Sequence, residues 1–399
     1  MMHIFLNAAG ASAGSGLTYL YNVVPRLSSS PNVRTTVAVQ GQLRAELRHL
    51  GNVNVLEIPI PASSLRRFWF EQKQLPRLIR AVQADVLLSA GNFAVRNSPV
   101  PQILLSGNSL YTSKDFYRDL RDRGEYGMWL DTKIRGVFAK ESVQWADCTV
   151  APSQAFANEL QRWTGRQVSS IHHGFDPGVF SGDKSPLARE LTEKLQAAEG
   201  CLKLLFVSHY NYYRNFETLF RAIALLRKQA PDRKLRLFLT CTLEDEKTPG
   251  TYKTREAARM IRDLGIREDV VELGAVPYRQ LHHVYKACDI YVTPAYTETF
   301  AHPLVEAMAC GLPVIASDIP AHREICRNAM FFDRFSAEQL AERILEMYRK
   351  KCAAIPEVIG FSWSEHVAKL LAIASQLKHR NTEREFAAQD VETSLTQAS

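Results

Sequence analysis

Two acidic residues, Glu298 and Glu306, lie eight positions apart on either side of a predicted helix start. Pro303 suits the first position of a short helix, and Gly311 suits the left-handed residue just past its end. Free backbone N–H groups and the helix dipole make such a start an anion site. The residues at this start are Thr299, Phe300, Ala301 and His302. A carboxylate on each side of a phosphate site suits a sugar nucleotide, since carboxylates accept hydrogen bonds from ribose and sugar hydroxyls.

The run ETFAHPLVEAMACGLPVIAS, from Glu298 to Ser317, resembles the signature of the group 1 (family 4) retaining glycosyltransferases. The resemblance implies an α/β chain of two Rossmann-like domains, the GT-B architecture, with a deep interdomain cleft and a C-terminal helix that crosses back to the first domain. It also implies a cytoplasmic enzyme of polysaccharide biosynthesis that transfers a sugar from a nucleotide-diphosphate donor. From the residues alone, an amphipathic helix with two solvated acids is the alternative.

One residue of this run departs from the family. The family usually has Gly after the Phe, where this chain has Ala301. A Cβ there could narrow the approach of the backbone to a phosphate or sugar.

The segment SHYNYYRN after the next-domain strand resembles the family element G-R-x-x-x-x-K, whose two cations hold the donor diphosphate. Arg214 falls on the Lys position, and His209 falls on the Arg position. An arginine keeps the charge and adds a planar fork suited to phosphate oxygens. A neutral imidazole donates only one hydrogen bond, so His209 is the weaker replacement.

The resemblance also assigns roles to the two acids and to one strand end. Glu298 is expected to contact the donor sugar and its developing positive charge, and Glu306 is expected to bind the ribose diol. The backbone at Leu273 and Gly274 is expected to contact the base. The leaving phosphate acts as the base in such enzymes, so the resemblance implies neither a protein nucleophile nor a metal.

The N-terminus reads as a strand, a Gly-rich turn and an apolar helix, the first unit of a Rossmann-like domain. The glycines at positions 10, 14 and 16 do not form G-x-G-x-x-G, and the second strand ends without an acid to hold a ribose. Dinucleotide binding is therefore disfavoured. By resemblance, Gly14, Ser15 and Gly16 face the donor phosphate and the acceptor.

Two further segments of the first half were candidates for substrate contacts. Asn108 follows a predicted strand and matches a His or Asn that faces the sugar in relatives, and a plain Asx turn is the alternative. Residues 111–141 combine charge with aromatic side chains. They are either an acceptor-facing surface of the first domain or an exposed helix pair.

The pattern predicts a first domain over 1–180, a linker over 181–200 and a donor domain over 201–362. A crossover helix follows at 363–378, and 379–399 is a polar, disordered tail.

Composition supports a soluble two-domain protein of 399 residues, with 46% hydrophobic and 23% charged residues. No apolar run reaches the ~18 residues of a membrane span, and the chain opens with a strand and not a signal peptide. Seven cysteines without a C-x-x-C pair argue for reduced thiols in a cytosol and against structural zinc. The one rival metal cluster, Glu244-Asp245-Glu246, reads as a solvated loop.

Positive charge is concentrated in the first half, where residues 1–180 hold 19 Lys and Arg against 13 Asp and Glu. This favours an acidic acceptor or an anionic membrane surface, and no nucleic-acid module is present. Ser64 to Val82, which Pro76 should break or kink, mixes arginines with aromatic residues. It predicts either a peripheral contact with the cytoplasmic membrane face or a solvated helix with its aromatic face on its own core.

The acceptor is left open as a glycan, a lipid-linked molecule or a small molecule. Three rival functions share these features. A nucleotide-sugar epimerase would need no acceptor, and a phosphorylase would need phosphate as co-substrate. A non-catalytic sugar-nucleotide binder is motivated by Ala301 and His209.

Overall fold

A computed structural model describes residues 1–399 except 12–14, 48, 59–63, 245–251, 351–359 and 398–399, and for 15, 42, 64–65, 350 and 384–397 it describes only the backbone. The chain divides into two compact units. The first unit comprises Met1–Thr112, Gly127–Gly174 and Phe361–Ser399. The second unit comprises Ser113–Tyr126 and Phe175–Gly360. No helix in the described part of the chain is long and apolar enough to cross a bilayer.

Strands and helices alternate along most of the chain. In the first half they are β1 (Met2–Asn7), α1 (Ser15–Ser28), β2 (Val33–Val39), α2 (Gly41–Leu47), β3 (Val53–Glu57), α3 (Ser64–Ala81), β4 (Val86–Ala90), β5 (Gln102–Leu105), α4 (Lys114–Asp122), α5 (Tyr126–Trp145), β6 (Cys148–Ala151), α6 (Gln154–Thr164) and β7 (Ser169–Ser170). In the second half they are α7 (Pro177–Phe180), α8 (Arg189–Gln196), β8 (Leu202–Phe206), α9 (Phe216–Gln229), β9 (Leu235–Leu239), α10 (Arg255–Asp263), β10 (Val270–Glu272), α11 (Leu281–Lys286), β11 (Ile290–Thr293), α12 (His302–Ala309), β12 (Val314–Ser317), α13 (Pro320–Ile325), β13 (Met330–Phe332), α14 (Ala337–Lys350) and α15 (Trp363–Gln397).

Each unit is built on one parallel sheet. The first sheet has the strand order β3-β2-β1-β4-β5-β6-β7, and the second has the order β10-β9-β8-β11-β12-β13. Parallel strands covered by helices on both faces are apolar throughout, and β11 and β12 are buried along their whole length. The predicted pair of Rossmann-like folds is confirmed.

The strand order of the second sheet reverses between β8 and β11, where Leu204 pairs with Ile290 and Leu205 with Tyr291. In open α/β sheets, ligands bind beyond the carboxyl ends of the strands at such a reversal. The segment after β8 contains Arg214, and the segment after β11 leads into α12. The sheet therefore places these two segments next to each other.

The last helix, α15, packs in the core of the first unit, where Val367 and Leu370 are buried together with Leu20 of α1. At the start of α15, the backbone of Trp363 comes very close to Gly174. A Cβ at Gly174 would lie 2.1 Å from the backbone nitrogen of Trp363, so only glycine fits there. The imidazole of His173 stacks on the Trp363 ring at 5.5 Å between centroids.

The prediction that 379–399 form a disordered tail is wrong for residues 379–397, because α15 continues to Gln397. No proline or glycine occurs between Trp363 and Gln397, and good helix formers dominate. The predicted linker over 181–200 also contains a helix, α8, whose Leu191 and Leu195 are buried one turn apart. The contact boundary between the units lies earlier, after Gly174.

The predicted break at Pro76 does not occur, since α3 runs through it from Ser64 to Ala81. Leu75 and Ile79 on either side are fully buried, and this packing offsets a proline cost of about 3 kcal/mol. Phe68 of this helix packs on Phe138 within the first unit, with ring centroids 4.7 Å apart. Phe68 thus covers the helix's own core, whereas Trp69 is 57% exposed, and a membrane contact through 64–82 stays a prediction.

The prediction that all of 111–141 belongs to the first domain is wrong in part. Residues Ser113–Tyr126, which include α4, belong to the second unit. Their charged side chains pair with residues of that unit, for example Asp115 with Arg334 at 2.8 Å. The rest of the segment, α5, lies in the first unit after its first residue.

Candidate functional site

Arg214 and Glu298 form an ion pair beyond the carboxyl end of the second sheet. Arg214 ends a 3-10 turn, Tyr212–Arg214, that follows β8, and Glu298 lies in the loop between β11 and α12. Only 19% and 11% of the two side chains are exposed. Burial lowers the pKa of Arg214, but the Glu298 carboxylate together with the hydroxyls of Tyr213 and Tyr291 raises it, and the net shift is upward. The guanidinium therefore stays charged in a setting with little water.

The turn before α9 is tied to the loop after β11 by the backbone. The N–H of Tyr296 donates to the carbonyl of Tyr213 at 3.1 Å. Asn215, in the left-handed region at φ 56°, caps α9 and donates its Nδ2 to the carbonyl of Pro294 at 3.2 Å. The Tyr213 ring lies under the guanidinium of Arg214, with 5.0 Å from Cζ to the ring centroid. These contacts fix the position of the ion pair.

Glu306 lies on α12 and is 5% exposed. The hydroxyl of Tyr285 donates to its Oε2 at 2.8 Å. Burial raises the pKa of Glu306 to about 7, although the hydrogen bond from Tyr285 acts in the opposite direction. Glu306 can therefore change its charge near neutral pH.

Arg214, Glu298 and Glu306 all influence the pKa of the buried phenol of Tyr291. Burial raises the pKa of this phenol, Arg214 lowers it, and both carboxylates raise it further. The two acids of one sequence motif and the arginine of another thus all influence the same phenol.

The loop that starts α12 has an unusual backbone at Ala301, which lies in the left-handed region with φ 61° and ψ 60°. The helix begins at His302, one residue before the predicted start at Pro303. Glu298 accepts a hydrogen bond from the N–H of Thr299 at 3.2 Å. Phe300 is buried, and burial lowers the pKa of His302 to about 4, so its imidazole is neutral.

Leu273 and Gly274 follow β10 in the same unit, at the carboxyl end of its sheet. Leu273 is buried and its N–H donates to the carbonyl of Leu239 at 2.8 Å. Gly274 has φ 77°, a conformation that favours glycine. Base recognition by these two residues stays a prediction.

His209 and Asn108 are two further predicted site residues. The side chain of His209 is exposed, and among the described residues no hydrogen bond or ion pair links it to Arg214 or Glu298. Asn108 belongs to the first unit, where its Oδ1 accepts from the N–H of Leu110 at 3.1 Å. This is the Asx turn that was the alternative for Asn108.

The predicted Gly-rich loop is only partly visible. Gly14 lies outside the described residues, and the side chain of Ser15 is not described. Gly16 lies in α1 of the first unit, where an added Cβ would be 3.3 Å from Cβ of Ala11. A phosphate contact from these residues stays a prediction. Among the described residues, no group of three or more His, Cys, Asp or Glu side chains could hold a metal ion.

The sequence patterns did not identify three supporting tyrosines. These side chains, which position Arg214 and the two glutamates, are Tyr213, Tyr285 and Tyr296. Tyr285 lies with Leu281 and Val284 among the buried residues of α11. A tyrosine on a buried helix face is a usable signal, because its buried hydroxyl needs a hydrogen-bond partner.

We expect the Arg214–Glu298 pair to show strong coupling in protein stability. Arg214→Ala or Glu298→Ala leaves the partner charge buried and unpaired, and each should cost about 3 kcal/mol in the free energy of unfolding. The double variant leaves neither charge unpaired. Its cost in the free energy of unfolding should therefore be smaller than the summed costs of the two single variants by roughly 0.5–3 kcal/mol. Urea unfolding of the three variants measures this coupling, and additive costs would show that the two charges do not interact.

Ala301→Gly should stabilise the protein. A Cβ in the left-handed region costs roughly 1–2 kcal/mol, and the greater freedom of glycine in the unfolded chain cancels up to about 1 kcal/mol of that gain. We expect a net gain of about 0.5 kcal/mol in thermal unfolding. Ala309→Gly, within the right-handed helix α12, is the matched control and should lose about 0.5–1 kcal/mol. Equal losses in both variants would contradict the assigned backbone strain.

Comparison with known proteins locates a family in the second half of the chain. Residues 188–356 match the family model described as glycosyl transferases group 1. A D-inositol 3-phosphate glycosyltransferase of Catenulispora acidiphila is 32% identical over 178 residues, which are 44% of this chain and 40% of that protein. The chain spans about half the length of the curated relatives that it matches.

Solved structures match over the whole chain at the level of the fold. HepE of Anabaena, solved with UDP and glucose, has a TM-score of 0.63 at 19% identity and covers 98% of this chain and 100% of its own. Sucrose-phosphate synthase of Thermosynechococcus elongatus has a TM-score of 0.69 at 18% identity, over 97% of this chain and 100% of its own. The residues that match the model of the group 1 glycosyl transferases, 188–356, lie in the unit that holds Arg214, Glu298 and Glu306.

Proposed function

We propose that the protein is a retaining glycosyltransferase that moves a sugar from a nucleoside-diphosphate donor to an acceptor hydroxyl. One observation carries the proposal. The Arg214–Glu298 ion pair, with side chains only 19% and 11% exposed, lies beyond the strand reversal where open α/β sheets bind ligands. The UDP and glucose bound by HepE of Anabaena support a donor of this class.

Arg214 is the group that holds the diphosphate. Its Nε is buried and has no hydrogen-bond partner among the described residues. A buried donor without an acceptor costs about 1–3 kcal/mol, and a phosphate oxygen would remove that cost. The dipole at the start of α12 adds a second attraction for the same negative charge.

The reaction breaks the bond between C1 of the sugar and the diphosphate oxygen and forms a bond between C1 and the acceptor oxygen on the same face. The acceptor proton passes to an oxygen of the leaving diphosphate. Positive charge develops on the sugar and negative charge on the leaving group. Arg214 stabilises the diphosphate, and the Glu298 carboxylate stabilises the sugar cation, in a site with little water to compete.

Glu306 binds the ribose, as an acid does in dinucleotide folds. Its carboxylate can accept hydrogen bonds from two ribose hydroxyls while Tyr285 donates to it. The acceptor is more open, although the curated relatives are named for D-inositol 3-phosphate and residues 1–180 carry excess positive charge. An anionic acceptor therefore fits best.

A thermal-shift screen with the diphosphates of uridine, guanosine and adenosine tests the donor class. A ligand at 100 times its Kd stabilises the folded state by about 2.7 kcal/mol, so one of the three should raise Tm clearly. The same nucleotide should shift Glu306→Gln less. No shift with any of the three would contradict the proposal. With the matching sugar donor, product analysis separates transfer from epimerisation, which leaves the sugar on or near the nucleotide.

Nucleotide affinity should also depend on pH through Glu306. Because the pKa of Glu306 is about 7, the carboxylate loses its charge as pH falls below that value. Affinity should then fall by at most about tenfold per pH unit. Titrations at pH 6, 7 and 8 should show this slope in the wild type and a weaker one in Glu306→Gln. The same slope in both would assign the pH dependence to another group.

A further inference from the structure

Helix α4 comes from the first half of the chain but is part of the second unit. Ser113 caps the helix, since its hydroxyl accepts from the N–H of Phe116 at 3.2 Å. The Phe116 ring lies 6.4 Å from the Tyr213 ring in an edge-on contact. The chain leaves this unit again after Tyr126. The segment Ser113–Tyr126 therefore places α4 next to the 3-10 turn that ends at Arg214.

Asp119 of α4 makes two hydrogen bonds with different partners. Its Oδ2 accepts from the hydroxyl of Tyr296 at 2.8 Å, and its Oδ1 accepts from Nε of Arg123 at 2.7 Å. Tyr296 is 5% exposed and lies two residues before Glu298. Its N–H also binds the carbonyl of Tyr213, next to Arg214. Asp119 thus holds a residue that joins both sides of the ion pair.

Arg123 extends the contact to the other side of the turn. Its Nη2 donates to Oε1 of Glu217, in the first turn of α9, at 2.7 Å. Its Cζ lies 4.3 Å from the centroid of the Tyr212 ring. Only 14% of the Arg123 side chain is exposed. The guanidinium is therefore fixed between α4 and the 3-10 turn that ends at Arg214.

A third link runs through Arg334. Its guanidinium donates to Oδ2 of Asp115 at 2.8 and 3.0 Å. Its backbone carbonyl accepts from Nδ2 of Asn215 at 2.5 Å. Asn215 follows Arg214 and caps α9. Two acidic residues of α4, Asp115 and Asp119, and Arg123 at its C-terminal cap thus contact the immediate supports of Arg214 and Glu298.

We infer that α4 is the support that sets the distance between Arg214 and Glu298, and that Asp119 is its main positioning residue. The effect on catalysis depends on the proposed glycosyl transfer. In the part of the chain that the structure describes, Asp119 reaches Glu298 through Tyr296, and Arg214 through Arg123 and the Tyr296–Tyr213 hydrogen bond. A displacement of about 1 Å at reacting groups can cost on the order of 10² in rate. Loss of Asp119 should act through such a displacement.

Three variants test the role of Asp119. Asp119→Ala removes both acceptors. Asp119→Asn keeps an oxygen for Arg123 and can donate to the hydroxyl of Tyr296. Asp122→Asn, which is exposed on the same helix, is the matched control for charge. We expect kcat to fall on the order of tenfold in Asp119→Ala, to recover partly in Asp119→Asn, and to stay unchanged in Asp122→Asn.

Hydrogen exchange supplies a readout that does not depend on catalysis. Peptides over 209–216 and 294–301 should exchange roughly tenfold faster in Asp119→Ala. Local opening of these segments in the wild type must break the hydrogen bonds of Asp119, and without them the free energy of opening is lower. Peptides of the first unit, such as those over β4, should be unchanged. Tyr296→Phe should likewise speed exchange over 294–301, since it removes one of the two hydrogen bonds that Asp119 accepts.

These experiments distinguish a failure of the positioning role of Asp119 from a failure of the proposed glycosyl transfer. Wild-type exchange in both peptides of Asp119→Ala would overturn the inference, whatever the activity. Faster exchange without any nucleotide-sugar turnover in the wild type would support the structural role and contradict the proposed transfer. A fall in kcat with unchanged exchange would mean that Asp119 acts on a substrate directly, and it would also overturn the positioning role.

Discussion

Arg214→Ala is expected to lower turnover by roughly 10²–10³, the scale for loss of one preorganised charge stabiliser. The leaving diphosphate gains negative charge in the transition state, and Arg214 is a largely buried cation beyond the end of β8. Alanine cannot supply that charge, and water has little access to replace it. Steady-state kinetics with saturating donor and acceptor measure the loss, which should appear mainly in kcat.

Two further variants calibrate this result. Arg214→Lys keeps the charge but not the planar fork, so it should retain more activity than Arg214→Ala. Arg227→Ala removes an arginine of the same unit that pairs with Asp269 at 3.1 Å, and its turnover should be close to wild type. Near wild-type turnover in Arg214→Ala would refute the assigned role.

Glu298→Gln is expected to lower kcat by about 10² while binding of the bare nucleoside diphosphate changes less than tenfold. The carboxylate is proposed to stabilise positive charge on the sugar, and the diphosphate carries no sugar. Glutamine keeps one acceptor for Arg214 but loses the negative charge. Kinetics and a calorimetric titration with the diphosphate, on the same preparation, separate the two effects.

The control for this variant is Glu190→Gln, which removes a carboxylate from an exposed pair with Lys194. Such surface pairs contribute about 0–1 kcal/mol to stability, and kcat should not change. If Glu298→Gln lost nucleotide binding and kcat in equal measure, Glu298 would be a general binding group and not a transition-state stabiliser.

The local pattern after Glu298 was sufficient to predict the short helix α12. Pro303 predicted the start of this helix to within one residue, since the helix begins at His302. Gly311 marked the end of α12 and has φ 73° in the structure. The convergence of Arg214 and Glu298 was predictable only through the family resemblance, since 83 residues separate them in the chain.

The failed predictions depend on contacts between distant residues. The place of α4 is decided by partners such as Tyr296 and Arg334, more than 170 positions away. Pro76 is held in α3 by core packing, which the local sequence does not show. The supporting role of Tyr285 depends on a hydroxyl that meets Glu306 across two helices. Local preference sets the elements, and distant contacts set the site.

The most direct test of the donor site is a crystal structure with the nucleoside diphosphate that gives the largest thermal shift. The account predicts the diphosphate between the Arg214 guanidinium and the start of α12, with the ribose hydroxyls within hydrogen-bond distance of Glu306. A nucleotide bound away from all three of Arg214, Glu298 and Glu306 would contradict it.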